Sequence, residues 1–190
     1  VREAIGKPSG AITAADLVGA GFTQLKAHSR GIVDLRGIEH CTDVQDLDLN
    51  NNEIRDPKPL AGLTQLQTLD LRNNRLTDIS ALAGLTQITR LLLDGNTIRD
   101  ISALEGMTKM TILTFYRNEV ERMDALKGMT KLQTLRASHN RIVDVSALAG
   151  LEYLNSLVIS GNQIEDISGL AGLKRLTLSL IHISEPTRPY

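Results

Sequence analysis

The stretch "LQTLDLRNNRL", Leu66 to Leu76, sets a frame that the chain repeats. Leu66, Leu69, Leu71, Asn74 and Leu76 fill it once, and Ile88, Leu91, Leu93, Asn96 and Ile98 fill the next copy. Asn52, Asn74, Asn96, Asn118, Asn140 and Asn162 follow one another at a constant interval of 22 residues. A fixed period of this length marks stacked supersecondary units, each burying its apolar face only against its neighbours.

The columns have separable physical tasks. The L-x-L pair alternates with period two, as expected of a short strand with one buried face. The asparagine carries both donors and an acceptor and can satisfy backbone groups where the chain leaves the strand. Six copies of L-x-x-L-x-L-x-x-N-x-[LIV] in register constitute the leucine-rich-repeat signature. The expected fold is therefore an α/β solenoid, a horseshoe with a parallel sheet on its concave face and short 3-10 turns on its convex side.

The second half of each unit, "DISALAGL" over residues 78–85, supplies the return. Ser80, Ser102, Asp124, Ser146 and Ser168 are expected as helix N-caps. Gly62, Gly84, Gly106, Gly128, Gly150 and Gly172 are expected as left-handed exits. A degenerate first unit places His40 in the glycine column, where histidine tolerates positive φ better than most residues. Cys41 beside it reads as a core thiol rather than as half of a nucleophile pair. The column Asp34, Asp56, Asp78, Asp100, Asp144 and Asp166, interrupted by Arg122, reads as turn acceptors of backbone N–H groups rather than as calcium ligands.

Composition narrows the function classes. The 190 residues carry a net charge of -1, which argues against a dedicated nucleic-acid binder. No apolar run approaches the roughly 20 residues of a membrane span. One cysteine, Cys41, excludes an internal disulfide framework. The chain has no G-x-S-x-G, Walker-type G-x-x-x-x-G-K-[ST], H-E-x-x-H or C-x-x-C motif, so no enzyme, metal or cofactor is expected. His28, His40, His139 and His182 are too dispersed to make a metal site.

While the frame barely changes, the residues flanking the L-x-L pair change at almost every step. They form three columns that face away from the core. The first is Asp46, Thr68, Arg90, Ile112, Thr134 and Ser156; the second is Asp48, Asp70, Leu92, Thr114, Arg136 and Val158. The third is Asn50, Arg72, Asp94, Tyr116, Ser138 and Ser160. Asp46, Asp48 and Asp70 make the early end acidic, and Arg90, Leu92, Ile112, Tyr116 and Arg136 place an apolar centre between two guanidinium groups. Aromatic and arginine anchors at the middle of a patch are the usual composition of a binding hot spot, and Arg117 is positioned to add to it. The candidate partner-binding residues are Asp46, Asp48, Asp70, Arg72, Arg90, Leu92, Asp94, Ile112, Tyr116, Arg136 and Val158.

Residues 1–24 do not repeat and are expected to form a helical cap over the open end of the core. "VREAIGKPSGAITAADL" followed by "GIVDLRGIEHCTDVQDLDLNNNEI" resembles the cap and first repeats of internalins and related bacterial surface leucine-rich-repeat proteins. The resemblance covers roughly residues 1–177, with repeats over 25–177 as about seven units plus the start of an eighth. It implies a bacterial secreted or cell-surface protein that binds a protein partner. The tail "LSLIHISEPTRPY", Leu178–Tyr190, breaks the frame; most of it resembles a translated sequencing-library adapter, so the tail is read as non-native and the chain as a fragment. The expectation is a monomeric, non-enzymatic protein-binding module with no nucleic-acid partner and no direct membrane insertion. A structural spacer and an intracellular regulator resembling phosphatase-docking leucine-rich-repeat subunits are the alternatives.

Overall fold

The computed structural model describes residues 23–176. The expected cap falls almost wholly outside that range, as does the tail from Leu178. Residue 24, assigned above to the cap, instead opens the first strand.

Seven strands form one sheet: β1 (Gln24–Lys26), β2 (Asp46–Asp48), β3 (Thr68–Asp70), β4 (Arg90–Leu92), β5 (Ile112–Thr114), β6 (Thr134–Arg136) and β7 (Ser156–Val158). They pair in sequence order, and every pair is parallel. Each strand is bonded to the strand one repeat further on, with Leu47, Leu69, Leu91 and Leu113 opposite one another. The ladder continues past the assigned strands, as where the Leu71 N–H donates to the Leu92 carbonyl at 2.8 Å. One strand face is buried because the middle residue of each strand is a leucine that points inward.

Short 3-10 turns close the other side, among them Ser80–Leu82, Ser102–Leu104 and Asp124–Leu126. Three residues are too few for an α-helix, and tight i→i+3 bonds are the form such a short return takes. Between strands and turns lies one continuous core of Leu, Ile, Val and Met. Phe115 occupies a column held by Leu49, Leu71 and Leu93 in the three preceding coils and is fully buried, and the next coil places Ala137 in the same column. A large residue beside a small one keeps that layer filled without strain.

The asparagine column ties coil to coil. The Oδ1 of Asn96 accepts the Leu76 N–H at 3.0 Å. Its Nδ2 donates to the Leu71 carbonyl of the previous coil at 3.0 Å and to the Leu93 carbonyl of its own coil at 2.9 Å. Asn52, Asn74, Asn118 and Asn140 repeat this arrangement. The Oδ1 of Asn162 accepts the Ile142 N–H, and its Nδ2 reaches Ala137 and Ile159. These groups are buried, so each amide fulfils a requirement that water does not meet.

Three expectations about the turns are corrected. The serines do not cap: the N-cap is the residue before, such as Ile79 or Ile101, and it makes no side-chain cap bond. The cap comes from the aspartate two positions earlier. The Ser80 N–H donates to Asp78 Oδ1 at 2.7 Å, and the Ser80 hydroxyl donates to Asp78 Oδ2 at 3.1 Å. An aspartate reaching the N–H two residues on is a compact Asx turn, which leaves the serine as its second donor. Asp100, Asp144 and Asp166 make the same pair of bonds, while Asp34 and Asp56 accept the backbone N–H. Where Arg122 interrupts the column, the pairing reverses: its Nε donates to Asp124 Oδ2 at 3.0 Å.

The glycine column is corrected as well. Of its members only Gly106 has positive φ, at 90°. Elsewhere the chain leaves in right-handed turns, with Ala61, Ala83, Lys127, Ala149 and Ala171 in αR. In the first unit Gly37, before the 3-10 turn, is left-handed at φ 98°, and His40 is not. The recurring left-handed position lies one residue before each asparagine of the ladder, at Asn51, Asn73, Gly95, Arg117, His139 and Gly161, and at Ser29 before Arg30 in the first unit. There the chain swings from the strand so that the following amide points inward.

Candidate binding face

The same register that buries each central leucine turns its neighbours outward along one surface. Arg90 stands beside Ile112 and Ile112 beside Thr134, while Leu92, Thr114 and Arg136 line up in the next column. Arg90 and Arg136 are exposed; Asp46, Asp48, Arg72, Asp94, Ile112, Tyr116 and Val158 are half-buried.

Two candidates contribute less surface than expected. Asp70 is 7% exposed and Leu92 5%. Both lie in the middle column, flanked along and across the strands, and Thr114 beside Leu92 is equally covered. Leu92 is a floor to the patch rather than part of its contact surface. Asp70 is clasped by Arg72, whose Nη2 donates to its Oδ2 at 2.6 Å and whose Nε lies 2.9 Å from its Oδ1.

Each carboxylate of the acidic end has a donor within the protein. Gln24 Nε2 donates to Asp46 at 3.2 Å. Asp48 accepts from the backbone and side chain of Asn50, and its Oδ2 lies 3.1 Å from His28 Nδ1. Asp94 accepts the Thr114 hydroxyl and the Tyr116 N–H, both at 2.7 Å. Burial nevertheless pushes the Asp94 carboxyl above its ordinary range, against the pull of those bonds and of Arg72.

Tyr116 is the best-supported side chain of the patch. Its backbone is held by Asp94, its ring meets the His139 ring edge-on, and the Arg117 guanidinium lies 5.1 Å from its centroid. Such ring–ring and cation–ring contacts orient an aromatic side chain before anything binds. His139 was not among the candidates. The signal that finds it is its position in the left-handed column, which it shares with Arg117.

Away from this face, Cys41 is 2% exposed, and burial pushes its thiol upward, opposite to the shift that makes a nucleophilic thiolate. The convex aspartates are turned onto N–H donors, and those at 78, 144 and 166 are held below the usual carboxylate range chiefly by the backbone bond. Among the described residues no three His, Cys, Asp or Glu side chains gather to hold a metal, and no helix is long and apolar enough to cross a membrane.

Compared with known proteins, the leucine-rich-repeat family (Leucine Rich repeats, 2 copies) matches residues 42–84 and 130–172. An internalin C2 from Listeria monocytogenes is similar over 92% of this chain and 87% of its own, at 36% identity and a TM-score of 0.73. The chain belongs to the internalin-like leucine-rich-repeat proteins. A second Listeria internalin, inlF, matches this internalin-like chain over 92% of it and 71% of its own length, at 27% identity and a TM-score of 0.54. The plant peptide hormone receptor RGFR1, solved in complex with RGF2, shares the fold over 74% of this chain and 24% of its own, at 24% identity and a TM-score of 0.66. Among curated proteins the sequence has no significant match.

Proposed function

We propose that this internalin-like chain is a non-enzymatic module that grips a protein partner on its concave strand face, at the surface of a bacterial cell or outside it. Leucine-rich-repeat domains are typical protein–protein interaction modules. One observation carries the reading: Ile112, Arg136 and Tyr116 fall in the three outward columns of two neighbouring coils, while the repeated positions around them are buried in the frame. A fixed scaffold with variation confined to one accessible surface is the design of a binding solenoid. The extracellular setting is supported by the 36% identity to a Listeria internalin. That identity also favours this reading over an intracellular regulator.

The test is recovery of a protein partner on immobilised chain, repeated with Tyr116→Ala and Arg136→Ala combined. Binding should be lost with an unchanged thermal midpoint. Undiminished recovery on the double variant would reject the concave centre, and recovery of no partner on the wild-type chain would favour a spacer.

A further inference from the structure

The arginines of the strand face fall into two kinds. Arg72 is locked to Asp70. Off the face, Arg36, Arg75, Arg99, Arg122 and Arg141 are each paired with a carboxylate. Arg90 and Arg136 are exposed, and their side chains have neither a hydrogen bond nor an ion pair among the described residues. The four aspartates of the face all have internal donors, as described above. Of the guanidinium groups in the three outward columns, those of Arg90 and Arg136 are therefore the two left open to a partner's carboxylate.

Those two groups have a geometry. Arg90 lies in the first outward column of β4 and Arg136 in the second column of β6, with β5 between them. Two strand spacings across and two residues along place their Cα atoms roughly 12 Å apart. The line joining them crosses β5 between Ile112 and Thr114, and Tyr116 lies two residues beyond Thr114 on the same coil. Residues i and i+4 of an extended peptide project to one side and are separated by roughly 13 Å, with i+2 between them on that side.

We propose that the bound segment of the partner is an extended acid–x–apolar–x–acid run, its two carboxylates on Arg90 and Arg136 and its apolar side chain on Ile112. This rests on the concave-face reading above and gives that face its partner chemistry. A guanidinium with no internal carboxylate is set to bind one bidentately. The half-buried Ile112, beside the covered Leu92 and Thr114, supplies the apolar seat between the charges. The segment lies diagonally across the strands and uses side-chain contacts rather than the backbone groups of the sheet, which are already paired.

The experiment is selection of a phage-displayed library of random linear peptides on the wild-type chain, followed by anisotropy titration of an enriched peptide in fluorescein-labelled form. Enriched sequences should carry Asp or Glu at i and i+4 around an apolar residue at i+2. Arg90→Gln and Arg136→Gln should each weaken the peptide by about tenfold or more, with unchanged melting. Arg90→Glu should regain affinity when the acid facing it is replaced by lysine. Enrichment of neutral or basic sequences, or no enrichment, overturns the inference. Peptides that lose affinity on Tyr116→Ala but not on either arginine variant leave the concave face standing and remove the acidic partner. Indifference to all three variants removes both.

Discussion

The His139 ring stands edge-on to the Tyr116 ring, with centroids 5.3 Å apart and planes at 86°. The two residues are one coil apart, and what lets His139 lie there is a third coil. At Gly161, where φ is 68°, an added Cβ would come within 2.9 Å of His139 Nδ1. The glycine therefore serves both a left-handed backbone and the space taken by a histidine ring.

Gly161→Ala should accordingly act twice. The left-handed backbone costs an L-residue about 1–2 kcal/mol, read as a lower midpoint in urea unfolding. The displaced His139 ring should also release Tyr116 and weaken partner binding. His139→Ala should weaken binding by the same route with little change in stability, since His139 is exposed. If Gly161→Ala lowers stability but His139→Ala leaves affinity unchanged, the histidine does not position the tyrosine.

Asn96→Ala removes the acceptor of the Leu76 N–H and the donor to the Leu71 and Leu93 carbonyls. Each buried group left unpaired costs about 1–3 kcal/mol. The loss should therefore exceed that of the exposed neighbour Thr97→Ala, which gives up a hydroxyl bond to the Leu76 carbonyl. Equilibrium urea unfolding of the two variants, side by side, checks the order.

Acid should act on the carboxylates in two opposite directions. The folded value of Asp94 is raised above 3.8, so between 3.8 and that higher value the unfolded chain is ionised while the folded chain retains a proton. Stability from this group falls as pH rises through that window. Asp94→Asn should flatten this slope. Asp78, Asp144 and Asp166 are lowered from 3.8, so their contribution is present above that value and is lost as pH falls through their folded values. Urea midpoints measured across pH 3 to 6 for Asp94→Asn and Asp78→Asn should differ in sign of effect.

Much of the fold was legible because a 22-residue interval fixes which residues stack, and stacking fixes the sheet. Asp78 was rightly read as a turn acceptor, because its short side chain suits the N–H two residues on. Ser80 was misread because a serine before an apolar run resembles an N-cap, and only the geometry shows that the aspartate has already taken the N–H. The glycine column misled for a related reason. Glycine permits a left-handed turn without requiring one, whereas Arg117 and His139 adopt it because the chain must turn there. On the binding face, the columns followed from strand alternation. The covering of Asp70 by Arg72 did not, because which neighbour a long side chain folds onto is not periodic.

The account stands on the changing residues of the strand face gripping a partner while the repeated ones hold the coil. Calorimetric titration of a captured and purified protein ligand with three proteins tests it most directly: wild type, Tyr116→Ala with Arg136→Ala, and Glu105→Ala with Lys127→Ala. The last pair follows the 3-10 turns on the opposite side of the coil. The account predicts that the strand-face pair loses about a hundredfold or more in affinity, as hot-spot residues do, and that the opposite pair matches wild type. The reverse order, or equal affinity in all three, would contradict it.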